Sequence, residues 1–152
     1  MIKRYVLAFL FDKDKENVLL IRKNRPDFQA GKLNGLGGKI EDGETPLEAV
    51  SREVSEESGI NLPTHCYKSV GVIQNVNDED ENQFKVDIFF AEANILEAKT
   101  LTDEEVSVFK ATEVITRDDL SDYVNQAIVS ILKNHDFWYK KSLERGFFII
   151  KS

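Results

Sequence analysis

Short apolar runs punctuated by polar turns open the chain. RYVLAFLF (residues 4–11) and NVLLIR (17–22) are rich in β-branched and aromatic residues, and the polar DKDKE between them predicts a β-hairpin. FKVDIFFAEA (84–93), preceded by the acidic NDEDENQ (77–83) and the apolar VGVIQNV (70–76), predicts a second hairpin with the acids at its tip. VSVFKA (106–111) reads as a further strand, and residues 23–44 read as a Gly-rich loop region. DLSDYVNQAIVSILKN (119–134) sets Leu120, Tyr123, Val124, Ala127, Ile128, Ile131 and Leu132 at helical spacing, which predicts a helix covering a sheet face. The aromatic tail FWYKKSLERGFFII (137–150) is expected to pack on the same domain. With no internal repeat, Pro-rich linker or low-complexity segment, residues 1–152 read as a single α+β domain.

The other helix carries its boundaries in its sequence. Thr45, Pro46 and Glu48 read as an N-cap, a first-turn proline and the acid of a capping box, and Gly59 stands where a left-handed C-terminal cap belongs. A helix over 46–58 follows. At about 100° per residue, Leu47, Val50 and Val54 form an apolar stripe, and Glu53, Glu56 and Glu57 fall in an adjoining arc about 100° wide.

Charge changes the picture here. Residues 38–60 hold seven acids and two bases, and no Lys follows the three glutamates at the four-residue spacing of a solvated, ion-paired face. A solvated acidic face is the ordinary reading of such a helix; the uncompensated crowding favours the other, that hard divalent ions, Mg2+ or Mn2+, sit among the carboxylates. The net charge of -7 argues against a protein that holds a long nucleic-acid backbone, but not against a small anion bound through a metal. The lone Cys66 permits no internal disulfide, and the apolar run at 6–11 is too short to cross a bilayer, so a cytoplasmic protein without membrane contact is expected. Oligomeric state is not legible.

Other motifs fail on inspection. Gly35, Gly37 and Gly38 begin like a dinucleotide fingerprint, but Ile40 replaces its third glycine. His65 and His135 are isolated in sequence, and the acids at 78–80 read as a hydrated tip.

Gly38, Glu44 and the run Arg52-Glu53-Val54-Ser55-Glu56-Glu57-Ser58-Gly59-Ile60, at these spacings, resemble the Nudix box at every defined position. The resemblance to the Nudix hydrolase family implies a mixed β-sheet sandwiched between α-helices, and metal-dependent hydrolysis of a nucleoside diphosphate linked to another group. It implies that Glu53, Glu56, Glu57 and the Gly37 carbonyl hold the metals, that Arg52 orients carboxylates and that Glu44 anchors the box. It leaves the general base open. FQAGKLNGLGGKIEDGE (28–44) is similar to MutT-type nucleoside triphosphate pyrophosphohydrolases, above all those acting on oxidised purine nucleotides such as 8-oxo-dGTP. That similarity implies a base contact from Asn34, a base pocket lined by Phe28, and substrate contacts from Lys23, Gly38 and Lys39. The alternative for Asn34 is a turn cap before Gly35.

TDEEVSVFKATEV (102–114) resembles the segment that brings a further acid to the metals, which points to Glu104; a charged loop is the plainer reading. Where the oxidised-purine enzymes carry a Trp and paired acids, this chain has RDDLSDYVNQ (117–126), leaving Asp122 and Asn125 for the role. The markers of ADP-ribose and diadenosine enzymes are missing from QNVND (74–78), which favours a triphosphate. Other diphosphate-linked substrates, among them nucleotide sugars and RNA caps, and a non-catalytic nucleotide-sensing module, are the alternatives.

Overall fold

The computed structural model describes residues 2–75, 83–134, 140–141 and 147–150. Its centre is β1 (Lys3–Phe11), which runs antiparallel to β2 (Asn17–Arg22) with Leu10 opposite Leu19 and Phe11 opposite Val18. The Asp12 carboxylate closes this hairpin by accepting from the backbone N–H of Asn17 at 3.0 Å and from its side chain at 2.7 Å.

The remaining described strands lie in the Gly-rich region and beyond it. β3 (Leu33–Asn34) pairs with β2, β4 (Leu36–Lys39) pairs with β1, and β5 (Lys68–Asn75) runs antiparallel to β6 (Phe84–Glu92). β6 lies parallel to β1 along its whole length, and β7 (Val106–Lys110) pairs antiparallel with β2. β8 (Lys140–Lys141) and β9 (Phe147–Ile150) come from the tail, and β9 adds to the sheet beside β5. The result is a mixed sheet in the order β3-β2-β1-β6-β5-β9-β8.

β1 and β2 read as unbroken apolar runs because both of their faces are covered. Leu7, Phe9, Phe11, Val18 and Leu20 pack with Val124, Ala127, Ile128 and Ile131 of α3 (Val124–Lys133). Val6, Ala8, Leu10, Leu19 and Ile21 turn the other way, onto Ala49, Val50 and Val54 of α1 (Pro46–Ser58). A single turn, α2 (Ala111–Val114), links β7 to the α3 layer. Both hairpins, the strand at 106 and the helix–sheet–helix layering agree with the sequence reading.

The structure differs from that reading in three places. The Gly-rich stretch is partly strand, since glycine admits a close approach that a side chain forbids: a Cβ on Gly37 would lie 1.9 Å from the Val6 carbonyl oxygen of the paired strand. Residues 119–123 are not helical, because the backbone is drawn to β3: Leu33 N–H donates to the Asp119 carbonyl at 2.8 Å, and Ser121 N–H to the Leu33 carbonyl at 2.9 Å. Leu47 is 37% exposed, so the buried stripe of α1 is rotated to Ala49, Val50, Val54 and Glu57. The acids at 78–80 lie outside the described residues, as does most of the aromatic tail.

Candidate active site

α1 is fixed at both ends, and its position on β4 sets the geometry of the acids. Thr45 Oγ1 accepts from Glu48 N–H and Glu48 Oε1 accepts from Thr45 N–H, both at 3.1 Å, completing the expected capping box. Gly59 closes the helix at φ 77°, a conformation that suits glycine. No basic residue occupies the last turn, where the helix dipole disfavours the carboxylates of Glu56 and Glu57.

Arg52 is the organising cation. Its Nε and Nη2 donate to the two oxygens of Glu44 at 2.7 and 2.9 Å, a bidentate pair, and Nη2 also donates to the Lys39 carbonyl at 3.0 Å. Nη1 reaches Glu53 Oε1 at 3.0 Å and Glu56 Oε2 at 3.3 Å. The guanidinium and the Glu41 N–H together hold the Glu44 carboxyl down at about 2. Glu44 thus ties the 39–45 turn to the helix through Arg52, while Glu56 remains largely exposed at the rim.

Glu57 is the exceptional acid. It lies on the buried stripe beside Val50 and Val54, is only 7% exposed, and its Oε1 accepts from Gly37 N–H at 2.8 Å. Burial first, and then the charge of Glu53, push its carboxyl up to about 8. Burial also raises Glu53, against the opposing pull of Arg52. Gly38 leaves room for that neighbour, since a Cβ there would lie 2.5 Å from Glu53 Oε1.

Across from α1, Glu104 is buried and has both oxygens engaged. Oε1 accepts from Lys23 Nζ at 3.0 Å and Oε2 from Asn24 N–H at 2.6 Å. Burial works to raise this carboxyl, but the Asn24 N–H and the Lys23 ammonium outweigh it and hold it below the usual range. Lys23 and Glu104 both act electrostatically on Glu57, which makes these groups one coupled cluster.

Whether this cluster suits a divalent ion turns on its donors. They are hard carboxylate oxygens, one of them buried and without a full countercharge, as such an ion requires. Among the described residues, no three acidic, histidine or cysteine side chains are gathered closely enough to enclose an ion as they stand. Glu53 is paired with Arg52 and Glu104 with Lys23, so the donor set fits a divalent ion in its chemistry while two of its acids are ion-paired as they stand.

A second polar group lies at β3. Asn34 is buried; its Oδ1 accepts from Gly35 N–H at 2.8 Å, and its Nδ2 donates to Tyr123 Oη at 3.1 Å and to Gln29 Oε1 at 3.3 Å. The turn-cap bond and the outward-reaching amide therefore coexist. Phe28, next to Gln29, is 73% exposed. Asp122 is exposed, and Asn125 donates to the Ile115 carbonyl at the end of α2 rather than to Asn34. An open groove of about 550 Å³ on the outer face of α1, floored by Ser51, Ser55, Asn61 and Leu62, shares only Arg52 with the acid cluster.

Sequence reasoning missed the link from Lys23 to Glu104 and the part played by Tyr123. The second had a signal: a lone hydroxyl-bearing ring in an otherwise aliphatic helical stripe needs a polar partner when half-buried. The first had none, because only the fold brings residues 23 and 104 together.

Comparison with known proteins places this geometry. A family model described as NUDIX domain matches residues 1–134. The oxidized purine nucleoside triphosphate hydrolase of Mus musculus is 47% identical over 49 residues, 32% of this chain and 31% of that protein. The 8-oxo-dGTP diphosphatase of Escherichia coli is 42% identical over 64 residues, 41% of this chain and 49% of the other. These matches therefore span less than half of either relative. Among solved structures, the NUDIX domain of Shewanella oneidensis NrtR complexed with ADP ribose superposes with a TM-score of 0.72 at 18% identity, covering 88% of each chain. With its box, capped helix and acid cluster in one array, and a family match over most of its length, the chain belongs to the NUDIX domain family.

Proposed function

We propose that this protein is a divalent-metal-dependent Nudix hydrolase that cleaves a nucleoside triphosphate to the monophosphate and pyrophosphate, with a purine nucleotide, ordinary or oxidised, as the preferred substrate. The observation that carries the reading is the buried, incompletely neutralised Glu57 between Glu53 and Gly37, on a helix whose Glu53 and Glu56 are held by Arg52.

Glu53, Glu56 and Glu57, with the Gly37 carbonyl, would hold Mg2+ or Mn2+, and Glu104 stands ready as a further ligand. The bound metal would supply positive charge against the pyrophosphate oxygens and acidify the attacking water. The rest falls to the chain itself. Arg52 holds Glu53 and Glu56 in fixed directions while its pair with Glu44 locks the turn that carries Gly37 and Gly38. A glutamate of this cluster accepts the proton that water loses as its oxygen attacks phosphorus and the bridging P–O bond breaks toward pyrophosphate.

Base selection is assigned to Asn34, whose amide offers both a donor and an acceptor to a purine edge, with the exposed Phe28 ring as a stacking surface nearby. The mouse and E. coli relatives are named for oxidised purine substrates and support this choice. The likeness to a domain holding ADP ribose favours a second reading, cleavage of a diphosphate-linked nucleotide, because Asn34 is already occupied by Tyr123, Gln29 and Gly35.

A hydrolysis panel with Mg2+ separates the two, using ordinary and oxidised nucleoside triphosphates, ADP-ribose, dinucleotides and nucleotide sugars, with products resolved by chromatography. Monophosphate plus pyrophosphate from a triphosphate upholds the first reading. Inert triphosphates with a cleaved diphosphate-linked compound replace it by the second.

A further inference from the structure

Lys23 places a positive charge against the acid cluster. Its Nζ lies 3.0 Å from Glu104 Oε1, with the lysine side chain 19% exposed and the glutamate 8%. The position is imposed by the backbone and not by the ion pair. Arg22 N–H donates to the Glu105 carbonyl at 2.8 Å, Asn24 Nδ2 to the Asp103 carbonyl at 2.6 Å, and Arg25 grips the Asp103 carboxylate at 2.9 Å through each of two nitrogens. The 22–25 and 103–105 segments are therefore stapled together on both sides of Lys23. Glu104 Oε2 is anchored by a peptide N–H, which cannot leave, and Oε1 by a flexible ammonium, which can. The remaining groups facing the cluster are Glu53 and Glu57 from α1.

Resting on the reading that these acids take a divalent ion, we propose that Lys23 is a tethered countercation: it occupies Glu104 and neutralises the acid cluster when no metal is bound, and so weakens the site for divalent ions. Lysine suits this role because its single point charge sits on a long stem and gives up one partner without breaking a fixed fork of bonds. Removing a unit charge a few ångströms from a doubly charged ion is worth about tenfold or more in affinity after screening. Lys23 is thus a positioning residue for Glu104, acting on the metal through it.

The test is Mn2+ binding by the whole chain without nucleotide, followed by titration calorimetry and by the signal of free Mn2+ in electron paramagnetic resonance. Lys23→Met is expected to bind Mn2+ about tenfold tighter than wild type, Lys23→Arg to bind no tighter than wild type, and all three proteins to show matching circular dichroism. In a Glu104→Gln background the gain from Lys23→Met is expected to shrink. Lys23→Met binding with wild-type or weaker affinity overturns the proposal while leaving the metal site intact. Absence of Mn2+ binding by both wild type and Lys23→Met overturns the proposal together with the metal reading beneath it.

Discussion

Glu57 places function and stability in opposition, and the conflict can be measured. An ordinary glutamate carboxyl near 4.5 is pushed up to about 8 here by burial and by Glu53. The folded-state value lies above the unfolded one, so the folded protein binds the proton more tightly. The contribution of this group is therefore most favourable below about 4.5 and is lost progressively as pH rises toward 8. At pH 7 the metal-free fold must keep Glu57 protonated about 2.5 pH units above its unfolded value, which at ~1.4 kcal/mol per unit is a burden of roughly 3 kcal/mol. At pH 5 the same burden is under about 1 kcal/mol. Glu57→Gln removes the titration, keeps the shape and retains an oxygen for the Gly37 N–H. The variant is expected to be more stable than wild type in chelator, with a gap that widens from pH 5 to pH 8 and reaches up to about 10 °C in Tm. Mg2+ or Mn2+ is expected to raise the Tm of wild type and to do so far less for Glu57→Gln, while turnover falls to near background. Thermal melts at the two pH values, with and without metal, decide it. A variant no more stable than wild type at pH 8, or a gap of the same size at both pH values, refutes the reasoning.

Neighbouring glycines separate fold from function. Gly37→Ala brings a Cβ to 1.9 Å from a backbone oxygen and is expected to lose about 4 kcal/mol or more of stability by chemical denaturation, whereas Gly38→Ala meets the end of the Glu53 side chain and no backbone atom. Gly38→Ala should therefore fold with a near-wild-type denaturation midpoint and lose most of its kcat. The Glu44 carboxyl, held at about 2, contributes stability that is present above about 4.5 and is lost as pH falls toward 2, so an acid titration of Glu44→Gln should show a flatter decline than wild type over that window. Tyr123→Phe removes one of the two acceptors of the Asn34 amide, and KM for a purine triphosphate should change about three- to tenfold at nearly constant kcat, as read from steady-state kinetics.

What was legible in the sequence follows from how local each signal is. The capped helix at 46–58 was readable because Thr45, Pro46, Glu48 and Gly59 act within a turn of its ends, and the structure reproduces each of these roles. The two hairpins and the strand at 106 were readable from short apolar runs between polar turns. The two faces of β1 were not, since an unbroken run such as Val6 to Phe11 fixes burial but not which residue meets which helix. The strand nature of Leu36–Lys39 was hidden because glycine has little strand preference of its own and pairs here only for close approach to β1. Residues 119–123 carry a helical pattern that is overridden by backbone bonds to Leu33, a partner more than eighty residues away. At the site, the acids on α1 could be gathered from helical spacing, whereas the burial of Glu57 depended on a rotation of the stripe that Leu47 obscured.

The two cations of the site divide one task in ways their chemistry dictates. Arg52 spends its nitrogens on Glu44, Glu53, Glu56 and the Lys39 carbonyl at once, so displacing it would break several bonds together. That makes it a fixed scaffold and a poor partner to exchange. It satisfies the outer acids yet leaves Glu57, one residue beyond its reach on the inner face, to bear the cost of burial. Lys23 approaches from the other side with a single charge on a flexible stem and meets Glu104 through one oxygen. A permanent clamp at the rim and a removable charge within are what a site needs if it is to stay folded while empty and still admit a metal. Exchanging the two chemistries tests this division: Arg52→Lys should disorder the turn at 39–45, detectable as faster amide exchange at Glu41 and Glu44, while Lys23→Arg leaves that turn unchanged. Equal protection of the turn in both variants would mean that charge alone, and not the forked geometry of the guanidinium, holds the box in place.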